Sequence, residues 1–211
     1  MNFIAENISR YCEEFSKRQD KVLKELERET HLHALYPQML SGHLQGKFLS
    51  MVSAMIKPKA ILELGTFTGY SAICLASGLA EGGILHTIEA DEELEEMIRK
   101  FFRKAGVQQK IKLHVGKAEK IVPDLDEVFD LVFIDADKTS YPEYYQMVFG
   151  KLRRGGFIIA DNALWSGKVL QEKKDSETEG IHRFNKMVLN DKRVDNVLWP
   201  LRDGVMVLRK L

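Results

Sequence analysis

Glu63-Leu64-Gly65-Thr66-Phe67-Thr68-Gly69-Tyr70-Ser71 is the stretch on which the reading of this chain turns. It closes a short apolar run, Ala60–Leu64, and opens a helical stretch, Tyr70–Leu79. The glycines at 65 and 69 let the backbone turn sharply and approach a ligand closely. The third glycine of a G-x-G-x-x-G turn is missing, which argues against a dinucleotide pyrophosphate here.

Outward from this turn, strands and helices alternate. Apolar runs at Ile84–Glu89, Ile111–Val115, Phe129–Ile134 and Phe157–Ala160 are separated by helical stretches at Glu92–Ala105, Glu119–Val122 and Tyr141–Leu152. Near-continuous apolar strands between helices specify a parallel sheet covered on both faces. Val194–Leu201 and Gly204–Leu208, joined by Arg202-Asp203, read as a terminal hairpin with at least one antiparallel strand. The expected fold is α/β: a doubly wound, mostly parallel seven-stranded sheet with an antiparallel C-terminal hairpin and N-terminal helices. Upstream of Pro58, Ile4, Ile8, Tyr11, Phe15, Val22 and Leu26 recur at mostly helical steps until Tyr36-Pro37 interrupts them. A second helix is expected from Gly42 to Lys57, with Leu44, Phe48, Met51, Val52 and Met55 on one side. The charged, aperiodic stretch Val169–Glu179 is expected to be an exposed loop. The chain reads as one domain over 1–211, with 1–57 a helical lid and dimerisation segment and 58–211 the α/β core.

Composition bounds the function. The 211 residues carry 31 Lys+Arg against 31 Asp+Glu, so nothing global asks for a nucleic-acid partner. A hydrophobic content of 45% excludes a disordered chain. The uncharged run Leu64–Ala80 is too short and too polar to span a membrane, and Met1–Arg10 lacks the apolar core of a signal peptide. Cys12 and Cys74 read as two buried free thiols, and the chain as cytoplasmic. His86, His114 and His182 have no partner in the pattern, and His31-x-His33 reads as a solvated pair.

In an open parallel sheet, ligands bind outside the carboxyl ends of the strands. Glu89 ends the second strand 24 residues after Gly65, where an acid can accept two hydrogen bonds from ribose hydroxyls. Asp135 ends the fourth strand, and Asp161-Asn162 end the fifth. Were those strands neighbours, three oxygen donors would converge, a set suited to Mg²⁺. The alternative is that each carboxylate caps the helix that follows. Lys138, three residues past Asp135, would have its pKa lowered near a cation and could serve as a general base.

The blocks 63–71, Phe133-Ile134-Asp135-Ala136-Asp137-Lys138 and Asp161-Asn162-Ala163-Leu164-Trp165-Ser166-Gly167-Lys168-Val169 resemble the cation-dependent O-methyltransferases, the family of catechol and caffeoyl-CoA O-methyltransferases. Gln45-Gly46, Phe48-Leu49 and Asp203-Gly204 also look like that family, and the resemblance runs from about Leu35 to Leu211. It implies a class I methyltransferase, Rossmann-like fold and S-adenosylmethionine as cofactor. It places Glu63, Gly65 and Ser71 at the methionine end, Glu89 at the ribose, Ala118 near the adenine, and Ser41 on the cofactor from the N-terminal segment. Asp135 lies close to both cofactor and metal. Asp135, Asp161 and Asn162 match the ligands of a divalent cation, Mg²⁺ with Mn²⁺ or Ca²⁺ as alternatives. Lys138 and Asp135 take the catalytic positions, and Met39 and Trp165 flank an aromatic diol acceptor. The family's habit, with the apolar residues Phe3, Ile4, Ile8, Tyr11 and Phe15, implies a homodimer. His43 either faces the site or merely caps it. Two rivals stand beside this reading. A nicotinamide-dependent oxidoreductase on a similar sheet would bind NAD(H). A non-catalytic S-adenosylmethionine-binding protein would lack one of Asp135, Asp161, Asn162 and Lys138, all of which are present.

Overall fold

The computed structural model describes residues 5–211, and a seven-stranded sheet is its centre. The strands are β1 (Ala60–Leu64), β2 (Ile84–Glu89), β3 (Ile111–Val115), β4 (Phe129–Ile134), β5 (Leu152–Ala160), β6 (Val194–Trp199) and β7 (Val205–Lys210). Their order is β3-β2-β1-β4-β5-β7-β6. β1 to β5 are mutually parallel, and β7 runs antiparallel between β5 and β6. The order reverses between β1 and β4, so helices leave these two strands toward opposite faces and a crevice opens at their carboxyl ends.

All five residues of β1 are buried, as a central parallel strand requires. Leu62, Leu64, Val132, Ile134 and Ile158 face one core layer, with α7 (Tyr141–Phe149) and α8 (Ser176–Asn190) packed over it. Ile61, Leu85, Leu131, Phe133 and Ile159 face the other, under α2 (Lys21–His33), α3 (Gly42–Ile56), α4 (Tyr70–Ala76) and α5 (Glu95–Lys104). α1 (Glu6–Glu14) and α6 (Ala118–Ile121) complete the set. Among the described residues no helix is long and apolar enough to cross a membrane.

Several expectations need correcting. The N-terminal apolar pattern does not make one helix: the chain breaks after α1, and Asp20 starts α2 afresh by accepting from Val22 N at 2.8 Å. Phe3 and Ile4 lie outside the described residues. The fully buried side of α3 is Gln45, Gly46, Leu49 and Ser53; of the expected stripe, Phe48 and Val52 pack half-buried against the core, Leu44 is half-buried, and Met51 and Met55 are exposed. Small residues decide this. A Cβ at Gly46 would lie 2.5 Å from the Tyr70 ring and 2.8 Å from Cys74 Sγ, so only glycine lets α3 approach α4 this closely. Cys12 is exposed rather than buried, because α1 buries none of its residues.

The stretch 169–179 is only partly a loop. A short 3₁₀ segment covers Trp165–Leu170, and α8 begins at Ser176. Asp175 caps that helix, accepting from Thr178 N at 2.8 Å, and acidic Glu177 and Glu179 suit the positive end of its dipole. The charges that read as loop are a helix start. His86 and His114 do have partners: Nδ1 of one is 3.0 Å from Nε2 of the other. His86 Nε2 lies 3.0 Å from Glu127 Oε1, out of line for a hydrogen bond.

Candidate active site

A cleft of about 1190 Å³ runs along the carboxyl ends of β1, β2, β4 and β5. Met39, Ser41, Gly65, Ser71, Glu89, Ala118, Asp135, Lys138, Asp161, Asn162 and Trp165 all line it. Glu63 does not. Its side chain points into the layer beneath, fully buried, with Oε2 accepting from Thr87 Oγ1 at 2.5 Å and Oε1 unpartnered. Burial pushes its carboxyl up to about 8.

The half of the cleft at β1 and β2 is made by backbone. Gly65 has φ +92°, and a Cβ there would lie 2.0 Å from the Asp135 carbonyl oxygen, so β1 and β4 can meet only at a glycine. Gly65 N and Thr66 N both donate to Ile88 O, at 3.0 and 3.1 Å, which ties the turn to β2. Glu89 braces it from the side: Oε2 accepts from Phe67 N at 2.6 Å and Oε1 from Asp91 N at 3.0 Å. Phe67 is held at φ +50°. Burial raises the Glu89 carboxyl, against the backbone donors that hold its charged form. Each oxygen has spent one lone pair and keeps another for a ligand hydroxyl.

The other half is acidic. Since β4 and β5 are neighbours, Asp135 and Asp161 stand side by side. Neither caps a helix; that task falls to Asp137, which accepts from Thr139 N. Asp161 is 3% exposed. Burial and the nearby Asp135 charge push its carboxyl up to about 6, against hydrogen bonds from Gln45 and the Asn162 backbone. Asn162 sits at φ +57° and donates Nδ2 to Asp203 Oδ2 at 3.3 Å, leaving its amide oxygen as the donor atom for a cation. Lys138 Nζ donates to Asp135 Oδ1 at 2.7 Å. Burial works to lower that ammonium's pKa, but Tyr141 and Asp135 outweigh it and the net shift is upward. Lys138 is thus held charged in this arrangement, by the Asp135 carboxylate that it bonds and by Tyr141. Its Nζ also lies 5.9 Å over the Trp165 ring.

Among the described residues, no three His, Cys, Asp or Glu side chains form a metal-binding group. Two carboxylates and an amide do converge, and Mg²⁺ takes one or two carboxylates while keeping several waters. Asp135, Asp161 and the Asn162 amide oxygen supply such a set at neighbouring strand ends, so the residues fit a divalent cation. The glycine turn and Glu89 likewise fit a nucleoside.

Three participants escaped the sequence reading as site residues: Gln45, Arg202 and Asp203. Gln45 Nε2 donates to Asp161 Oδ2 at 2.6 Å, Asp203 holds Asn162 and Ser166 N, and Arg202 lines the cleft. The available signals were Gln45-Gly46 and the Asp203-Gly204 turn. His43 faces away from the cleft and bonds the Lys17 carbonyl at 2.8 Å, a structural tie.

Comparison with known proteins agrees with this geometry. The O-methyltransferase family profile matches residues 13–211. A catechol O-methyltransferase of Niastella koreensis is 40% identical over 72% of this chain and 71% of its own length. A caffeoyl-CoA O-methyltransferase of Populus kitakamiensis is 36% identical over 79% of this chain and 76% of its own. The crystal structure of an O-methyltransferase from Bacillus cereus in complex with S-adenosylhomocysteine superposes with a TM-score of 0.89, at 30% identity, covering 97% of each chain. These matches set aside the nicotinamide reading. With a glycine turn and a braced carboxylate on one side of the cleft and paired acids on the other, the chain belongs to the O-methyltransferase family and is an S-adenosylmethionine-dependent O-methyltransferase.

Proposed function

We propose that the protein transfers the methyl group of S-adenosylmethionine to one hydroxyl of a vicinal diphenol, with a divalent cation at Asp135, Asp161 and Asn162. The observation that carries this reading is the pair of acids on adjacent strand ends, Asp161 buried and Asp135 half-buried, with the Asn162 amide beside them. The relatives named for catechol and caffeoyl-CoA substrates support it. When bound, the cation supplies charge stabilisation for an ionised phenol.

The chain's own residues do the rest. Met39 and Trp165 stand at the mouth of the cleft and flank the acceptor ring. Glu89 would hold the ribose, and the Gly65 turn with Ser71 the methionine end, which would set the sulfonium methyl toward Asp135. The acceptor oxygen attacks the methyl carbon, the carbon–sulfur bond breaks to leave a neutral thioether, and the phenolic proton passes to Lys138 Nζ. That last transfer requires Lys138 to be neutral. A cation held by Asp135 would compete for the carboxylate that Lys138 now bonds, and so would ease its loss of a proton. Catalysis is then positioning plus charge stabilisation, with no covalent intermediate on the protein.

The acceptor test compares catechol and a caffeoyl thioester with phenol and resorcinol. Transfer to the first pair alone is expected; equal transfer to phenol would overturn the diphenol requirement. The exposed stripe Ile8, Tyr11 and Phe15 on α1, with Phe15 74% exposed, further supports a two-fold homodimer, which light scattering tests.

A further inference from the structure

Arg202 lies in the turn between β6 and β7, at φ +50°, far in sequence from the helices that roof the cleft. Its guanidinium reaches across to them. Nη1 donates to the Ser41 carbonyl and to Gln45 Oε1, and Nη2 lies 3.5 Å from the Leu40 carbonyl. Gln45 is only 2% exposed, and its Nε2 donates to Asp161 Oδ2 at 2.6 Å.

The chemistry of these groups allows one arrangement. A guanidinium has five donors and no acceptor. The amide oxygen of Gln45 must therefore face Arg202, which leaves its NH₂ for Asp161. Turned over, the amide would set donor against donor at Arg202 and oxygen against oxygen at the buried Asp161.

We propose that Gln45 and Arg202 are positioning residues: Arg202 fixes the Gln45 amide in one orientation, and that amide holds the Asp161 carboxylate in place for the divalent cation. The inference rests on the reading of Asp161 as a cation ligand. The same guanidinium also ties Leu40 and Ser41, so the N-terminal roof, α3 and the C-terminal turn are joined at one carboxylate.

Charge alone predicts the opposite behaviour. Removing a guanidinium from beside a cation site relieves repulsion and should tighten cation binding. Removing a group that orients a ligand weakens binding, by about 10- to 100-fold. The sign separates the two.

The experiment is Mn²⁺ titration by electron paramagnetic resonance on the full chain saturated with S-adenosylhomocysteine. Wild type is compared with Gln45→Met, Arg202→Met, the double variant and Asp161→Ala. Gln45→Met and Arg202→Met should each raise the Mn²⁺ Kd by about tenfold or more. The double variant should lose no more than Gln45→Met alone, because Arg202 acts through Gln45. Retained binding of S-adenosylhomocysteine reports an intact cleft. If Gln45→Met loses it, Gln45→Glu carries the test: it keeps the shape and the Arg202 partner but turns an acceptor toward Asp161, and the same weakening is expected. Unchanged or tighter Mn²⁺ binding in Arg202→Met, or additive losses in the double variant, overturns the proposal. Unchanged binding in Asp161→Ala shows instead that the cation-ligand reading has failed, and the proposal falls with it.

Discussion

The two halves of the cleft are built on opposite principles. Around Gly65, Phe67 and Glu89, backbone amides and one braced carboxylate satisfy one another before any ligand arrives. Around Asp135 and Asp161, acids crowd together, and one is pushed up to about 6. The first half is complete on its own; the second sets two acids and an amide side by side, with Lys138 held on Asp135 and Gln45 on Asp161. The comparison teaches that cofactor binding and chemistry are separable here, and that substitutions in one half should leave the other largely intact.

The largest expected effect is that of Asp161→Ala. It removes one of two carboxylates from a site that Mg²⁺ holds weakly, since Mg²⁺ gives up water reluctantly. Methyl transfer should be abolished while calorimetry finds S-adenosylhomocysteine bound as in wild type. A parallel loss of cofactor affinity would break the separation. Lys138→Ala comes next. Loss of a general base typically costs about 10²–10⁴-fold in rate, and the residual kcat should climb with pH as hydroxide takes over. A flat residual profile would remove Lys138 from the proton path.

On the cofactor side, Glu89→Ala should weaken S-adenosylmethionine binding by about 1.5–3 kcal/mol, or roughly 10- to 150-fold. Part of that loss will come from the loop, because the same carboxylate holds Phe67 N. An unchanged dissociation constant would take Glu89 out of the site. Glu63 should have the smallest effect on methyl transfer, since it lies outside the cleft, and should act on stability through pH. Its folded value of about 8 lies above the ordinary 4.5, so folding takes up a proton between those values. Its stabilising contribution is complete below pH 4.5 and is lost as pH rises through 8, at up to about 1.4 kcal/mol per unit. Glu63→Gln cannot ionise, so its stability relative to wild type should increase from pH 5 to pH 8 in denaturant melts. A constant difference would mean that Glu63 is ionised throughout.

The parts legible in the sequence were those with a strong local period. Ala60–Leu64, Ile84–Glu89, Ile111–Val115 and Phe129–Ile134 are strands with the expected bounds; the central β1 and β4 leave near-continuous apolar runs because both their faces are buried, while the edge strand β3 alternates with Lys112 and His114. α8 was missed although Ile181, Phe184 and Val188 form its buried stripe; the charges at its start masked the helical step. The packing side of α3 was found only in part: Phe48 and Val52 touch the core, but its centre is displaced toward Gly46 and Ser53, which permit close approach and carry no hydrophobic signal. Most of the site could be read since its acids fall at strand ends. Gln45 and Arg202 could not, because their role depends on a contact spanning 157 positions.

The most direct test of the central claim is the initial rate of methyl transfer to catechol after exhaustive chelation, with Mg²⁺ then added back. The reading of Asp135, Asp161 and Asn162 as a cation site predicts negligible turnover in chelator, with S-adenosylmethionine still bound, and full recovery on titration with Mg²⁺. Methylation of catechol at full speed by the chelated protein would contradict it.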